Sequence, residues 1–403
     1  MSFKYLAPVV AVAGRVAAQS CSAATTTIQN QGDASGLAAC TTFSGSVAIA
    51  TGTTDNIQLN GVRAITGDLV ANNVSEITSI SADSLERIGG SFSLMTCEIL
   101  SNLNFPQLNE VDQIEWEGLP GLQGLSFTNK VQKAGVVSIV NTYLSSLEGI
   151  DLQVADEINI QNNGYLDDIT MQLGNVSESL RIYANGRNVS ATFPNLQWGK
   201  SIEINNASTI SMPSLASVNN SLLFGSNFFE SLRLPNLTDV GATLAISGNE
   251  AVTNISFPQL TTVGGGLSIQ NNTKLADVSA FPELETVGGA LDMYGDAIDT
   301  ADFPKLNDVR GAFNLQSNQN LDEACSEFQQ YKDNSVIKGS FTCRGEEEDP
   351  EGQGSDKPEG TSTGNAGSGS NGGNGGSDSA ASTLKITGAT GILGVVAVLF
   401  GLL

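Results

Sequence analysis

The chain has 403 residues, with 18 Lys and Arg against 42 Asp and Glu, and a formal net charge of -24. That balance argues against a phosphate-binding surface and against nucleic acid as a partner. Histidine is absent, which excludes histidine-dependent triads, imidazole metal sites and imidazole proton shuttles.

Residues 1–18 read as a signal peptide. Lys4 supplies a positive start, Leu6 to Ala13 a short apolar core, and Val16-x-Ala18 the small-residue cleavage pattern. Arg15, close to the cut, is out of pattern. Export makes the cysteines informative. Cys21 and Cys40 flank the start of the repeat described below, and Cys325 and Cys343 flank its end. Terminal pairs of this kind in an exported chain predict disulfides Cys21–Cys40 and Cys325–Cys343 closing the caps. Cys97 is left over, either as a buried free thiol or as one arm of an intermolecular bridge.

From Val47 onward a phrase recurs: apolar–x–apolar, with Asn or another small polar residue five positions after the start. Clear copies are Ile158-Asn159-Ile160 with Asn163, Leu180-Arg181-Ile182 with Asn185 and Leu244-Ala245-Ile246 with Asn249. Leu267-Ser268-Ile269 with Asn272, Leu291-Asp292-Met293 with Asp296 and Phe313-Asn314-Leu315 with Asn318 continue it. Fainter copies start at Val47, Leu69, Phe92, Ile114, Val137, Ile202 and Leu222, which makes thirteen copies spaced 20 to 24 residues apart. A fixed period of this size predicts a solenoid with one coil per repeat. Between copies runs Phe/Leu/Met-Pro-x-Leu-x-x-Val, as in Phe105-Pro106 to Val111 and Phe257-Pro258 to Val263. The segments are too short for helices and alternate with period two, so they are strands. Proline suits the corner before a short edge piece, and Gly89-Gly90, Gly264-Gly265 and Gly288-Gly289 are expected to turn the other corner through positive φ.

The expected fold over residues 19–344 is therefore mainly β: a right-handed parallel β-helix of about thirteen coils of ~22 residues, with helix only near the caps. The Asn-like residues should face inward as a structural ladder. The outward side chains lie one and three positions after each strand start. Glu115, Asn159, Arg181, Tyr183, Glu203, Asn205 and Tyr294 form the candidate binding face, an amide-rich surface with two tyrosines suited to sugar or protein. Eight N-x-S/T sequons, at Asn73, Asn175, Asn188, Asn206, Asn219, Asn236, Asn254 and Asn271, predict N-glycans on most but not all. No phosphate loop, CxxC, G-x-S-x-G or metal-ligand cluster is present, so no catalytic residue, metal or cofactor is assigned. Glu115 with Glu117 is the one acid pair placed to suggest hydrolysis.

Residues 345–378 form an acidic Gly/Ser/Asn-rich stretch with too little apolar content to bury a core, a disordered stalk. In residues 379–403 the small triplet Ser379-Ala380-Ala381, a short spacer and the apolar GILGVVAVLFGLL match a GPI-attachment signal. A transmembrane helix is the competing reading, but the run is Gly-rich, short and lacks a basic flank. Ser379 fits best as the attachment residue, with Asn374 as the rival.

The phrase L-x-I-x-x-N with interleaved F-P-x-L-x-x-V resembles the receptor L domain of insulin- and EGF-receptor ectodomains. The whole layout, over roughly residues 1–403, is similar to the fungal GPI-anchored cell-wall organisation proteins. That resemblance implies a plasma-membrane or wall mannoprotein needed for wall integrity, with no assigned catalytic activity and no known ligand. No cysteine-rich module separates two L domains, so receptor signalling does not carry over. The function expected is a non-enzymatic surface glycoprotein that holds wall polysaccharide or wall and membrane proteins, and meets the outer leaflet through its lipid. The alternatives are a polysaccharide-active β-helix enzyme and an adhesin or receptor for an external ligand.

Overall fold

A computed structural model describes residues 20–352. Each apolar–x–apolar phrase becomes a short strand, such as Ile202–Asn205, Leu244–Ser247 or Leu291–Tyr294. Equivalent strands pair in parallel and the phrase itself stays in register, with shifts confined to the residues before it, as between Ile88 and Ser91 and between Ala155 and Glu157. Val47 pairs with Leu69, Leu69 with Phe92, Phe92 with Ile114, and so on to Leu291 with Phe313. The protein is a parallel β-solenoid of about 13 turns, ~22 residues apart. Shorter sheets, such as Asp168–Thr170 with Ser190–Thr192 and Thr209–Ser211, form another side.

The residues two positions after each strand start form the inner column. Ala71, Leu94, Ile139, Ile160, Ile182, Ile204, Ile246, Met293 and Leu315 are all fully buried. Burying this much apolar surface is what holds coils that are individually too small to be stable. The Phe-Pro phrases supply a second column. Phe257 and Phe281 stack at 5.0 Å between ring centroids, and Phe281 and Phe303 at 5.8 Å. At its C-terminal end Phe328 of α2 (Asp322–Asp333) meets Phe303 and Phe313 at 6.1 and 4.6 Å, closing the core. The other end is covered by α1 (Gln31–Gly36), capped by the Asn30 side chain accepting from the Asp33 N–H.

The sheet runs one strand beyond the repeat at each end. Ser22–Ile28 pairs with Thr42–Ile49, and Phe341–Arg344 with Phe313–Gln316. Neither carries the repeat phrase; Ser22–Ile28 is mostly Ala and Thr. Disulfides Cys21–Cys40 and Cys325–Cys343 tie these end strands to the caps.

The corners differ from expectation. Gly264, Gly288 and Gly89 are not in the positive-φ region. They are required because neighbouring coils nearly touch there. A Cβ on Gly264 would lie 2.2 Å from the Gly241 carbonyl oxygen, and one on Gly288 2.1 Å from that of Gly264. The left-handed turn falls four residues after the strand start, on Asn73, Thr96, Asn141, Asn162, Ala184, Asn206, Ser226 and Asn271. Asparagine tolerates that conformation better than other side chains, which explains its frequency at this corner.

The inward ladder exists, but it is shorter than the phrase suggests. Asn163, Asn227, Asn249 and Asn272 are buried. Asn249 Nδ2 donates to the Phe224 carbonyl at 3.1 Å and to Asn272 Oδ1 at 3.0 Å, while its Oδ1 accepts from the Asn227 N–H at 2.9 Å. Cys97, free and buried, takes the same place, its Sγ donating to the Ala71 carbonyl at 3.3 Å. Burial raises its thiol pKa, so it is an inert donor rather than a nucleophile. Asp296 and Asn318, expected to face inward, are exposed. There the buried Ser317 hydroxyl faces the Asp296 carbonyl instead, at 3.4 Å.

Candidate functional site

The outward rows of the main sheet are built by strand register. Glu115, Ser138, Asn159, Arg181 and Glu203 stand side by side on successive coils. Tyr183 neighbours Gln161, and Asn205 follows on the coil after Tyr183. Six of the seven predicted face residues therefore share one patch. Its chemistry is graded. Glu115 accepts from the Ser91 hydroxyl at 3.1 Å, and Glu203 from the Asn205 amide at 3.0 Å. Asn205 Oδ1 accepts from the Gly225 N–H at 2.8 Å. Arg181 is exposed and makes no ion pair among the described residues. The Asn159 Oδ1 is buried and without a partner. Arg181 is thus an exposed, unpaired cation in a patch where Glu115, Glu203 and Asn205 are already hydrogen-bonded and the Asn159 oxygen is buried without a partner.

Past Asn205 the outward residues turn small: Gly225, Ala245, Ser247 and Ser268, with Leu223 among them. This makes a flat floor beyond the polar patch. Tyr294 lies at the far end of it, five coils from Tyr183, about 24 Å at a strand spacing of ~4.8 Å. The predicted face is therefore not one cluster; Tyr294 belongs elsewhere. Its hydroxyl donates to Gln270 Oε1 at 3.2 Å. Chain from the acidic stretch after the solenoid lies over it: the Glu351 carbonyl accepts from Asn314 Nδ2 at 2.9 Å. A Cβ on Gly352 would come within 2.8 Å of the Tyr294 ring. Burial first, then the Asp292 and Glu351 carboxylates, raise the Tyr294 phenol pKa.

Glu115 and Glu117 project from one strand, the first half-buried and the second exposed. Six sequon asparagines, Asn73, Asn188, Asn219, Asn236, Asn254 and Asn271, are exposed. Asn175 and Asn206 are half-buried, and Asn206 Nδ2 already donates to the Ser226 carbonyl at 3.2 Å. Residues 1–18, Asn374 and Ser379 lie outside the described residues.

The sequence reasoning missed one feature. Tyr143 and Tyr165, on neighbouring coils around the corner from the sheet face, are the most exposed aromatic side chains among the described residues, at 43% and 60%. Their signal in the sequence is a Tyr recurring 22 residues on, outside the two outward positions of the strand.

Comparisons with known proteins match the sequence to a family. A family model described as Ecm33, GPI-anchored cell wall organization protein, matches residues 1–38. A cell surface GPI-anchored protein of Arthroderma benhamiae is 40% identical over 365 residues, covering 90% of this chain and 92% of its own. Protein ecm33 of Aspergillus fumigatus is 35% identical over 366 residues, 90% of this chain and 91% of its own. Cell wall protein ecm33 of Schizosaccharomyces pombe is 30% identical over 242 residues, 59% of this chain and 58% of its own. No solved structure matches. Aligned across nine-tenths of its length, the chain belongs to the Ecm33 family of GPI-anchored cell wall organisation proteins, proteins of the fungal cell surface.

Proposed function

We propose that the chain organises the wall without catalysis of its own, as a rigid surface scaffold that holds wall polymer or partner proteins on its long sheet face. The observation that carries this reading is the patch from Glu115 to Asn205, with an unpaired Arg181 and an unpartnered Asn159 oxygen beside a flat floor of small residues. Such a floor admits an extended ligand lying along the coils, and the polar groups at one end would fix its register. The domain plan that supports it is a signal peptide over 1–18, the solenoid over 19–344, a stalk over 345–378 and an attachment signal from Ser379, or alternatively Asn374. Glycans on the exposed sequons would keep the remaining sides soluble.

The experiment incubates the purified protein with isolated wall polysaccharide and follows both sedimentation and release of reducing ends. Co-sedimentation without new reducing ends is expected. Reducing ends that appear with the wild type and vanish with Glu115→Gln/Glu117→Gln would turn the reading over to a hydrolase.

A further inference from the structure

Tyr143 and Tyr165 form a site separate from the sheet face. Their ring centroids are 4.8 Å apart at an interplanar angle of 51°. They stand in register, as the Ser146–Asp168 bridge and the Asp167 N–H to Ser145 carbonyl bond show. Together with Gln123 and Ser145 they line a shallow depression of about 360 Å³. Tyr165 remains 60% exposed and Tyr143 43%. Exposed large aromatics held against each other are costly to leave wet, so they point to a ligand.

The chemistry of the lining narrows that ligand. Gln123, Tyr143, Ser145 and Tyr165 are all uncharged. The Ser145 hydroxyl is bonded to the Gln123 carbonyl at 3.2 Å, which leaves the exposed Gln123 side-chain amide free to donate and accept. A neutral polyhydroxyl ligand suits an amide beside an aromatic platform. A polyanion does not, because nothing in the lining is cationic and the chain carries a net charge of -24. A second copy of the same acidic chain is disfavoured by that charge as well.

We infer that Tyr143 and Tyr165 form a stacking platform for β-linked glucopyranose, with Tyr165 presenting the outer ring face, Tyr143 bracing it and the Gln123 amide binding sugar hydroxyls. In β-glucopyranose all hydroxyls are equatorial, so both ring faces are C–H surfaces that lie flat on a tyrosine; the axial 2-hydroxyl of mannose spoils one of them. The platform is independent of the sheet face. Loss of either leaves the other in place.

The test is calorimetric binding of soluble β-glucan, α-mannan and polygalacturonate to the purified full protein. The expected result is binding of β-glucan, with α-mannan and polygalacturonate each about tenfold weaker or more. Tyr165→Ala should lose about tenfold in affinity, in the range seen when an aromatic anchor is truncated, while Tyr165→Phe retains it. Undiminished affinity in Tyr165→Ala, or no β-glucan binding by the wild type, overturns the inference. So does an equal loss in Tyr165→Phe, which would make the contact a hydroxyl bond and not stacking. Asn188, an exposed sequon, lies on the next coil along this edge. Binding by Asn188→Gln but not by the glycosylated wild type would assign the platform to the protein's own glycan and overturn the inference too. Arg181→Ala reports on the sheet face and Tyr165→Ala on this platform, so a loss confined to one of the two variants distinguishes failure here from failure of the scaffold reading.

Discussion

Replacing Asn249 by Ala should cost far more than replacing Asn318 by Ala, although both occupy the same place in the repeat phrase. Asn249 is fully buried, and its amide serves four partners. Truncation orphans the Asn227 N–H, which donates to Asn249 Oδ1 at 2.9 Å. It also removes a donor from the Phe224 carbonyl and from Asn272 Oδ1, and an acceptor from Asn227 Nδ2. One buried unsatisfied N–H costs about 1–3 kcal/mol, and each lost bond to a group that keeps another partner about 1 kcal/mol. The sum is about 4–6 kcal/mol, a large share of the ~5–15 kcal/mol by which domains are stable. Asn318 is exposed and its replacement should stay within about 0.5 kcal/mol. Urea unfolding of both variants, followed by far-ultraviolet circular dichroism and by fluorescence of Trp116 and Trp198, reads the difference. Because coils couple mainly to neighbours, coincidence of the two probes must be checked first. Equal midpoints for the two variants would refute the ladder as a source of stability.

Two further outcomes follow from the corners and the cap. Ala184 sits at φ 53, a left-handed conformation that costs an L-residue roughly 1–2 kcal/mol, so Ala184→Gly should stabilise by about 1 kcal/mol in the same assay; a loss of stability would contradict the strain argument. Tyr331 in α2 donates to the Phe303 carbonyl at 3.2 Å and the Glu327 carboxylate at 3.0 Å. Burial first, then Glu327 and Asp302, push its pKa from 10.0 up to about 12. Below pH 10 the phenol is neutral folded or unfolded, and its contribution is fully present. Between pH 10 and about 12 the unfolded chain ionises first, so stability falls as pH rises. Thermal midpoints should drop more steeply over that window in the wild type than in Tyr331→Phe; parallel curves would refute the assignment.

Much of the fold was readable because a solenoid repeats its instructions. The apolar pair at each strand start recurs from Val47 to Phe313 and fixes register by itself. What was not readable depends on neighbours in the stack. The glycines at Gly264 and Gly288 look like turn residues in one dimension, but their reason is a carbonyl on the previous coil. Asn318 and Asn249 look identical in the phrase and face opposite ways, because Ser317 takes over the inward contact. The end strands Ser22–Ile28 and Phe341–Arg344 have a partner on one side in the main sheet and so need no repeat phrase. For the face, strand parity places Glu115 through Asn205 as neighbours on the outer rows, as the register shows. It could not foresee Glu351 and Gly352 lying over Tyr294, since that contact joins residues beyond the repeat. Tyr143 and Tyr165 escaped because turns were read for conformation, not for surface.

The most direct measurement of the scaffold account is wall integrity in a host lacking the chain and complemented with Arg181→Ala/Tyr183→Ala/Glu203→Ala. These side chains are exposed or half-buried on the outer rows, so folding and surface level should match the wild type. The account predicts that sensitivity to wall-binding dyes persists at normal surface level. Full rescue by this variant, with failure of Glu115→Gln/Glu117→Gln to rescue, would contradict it and return the carboxylate pair to consideration as a catalytic site.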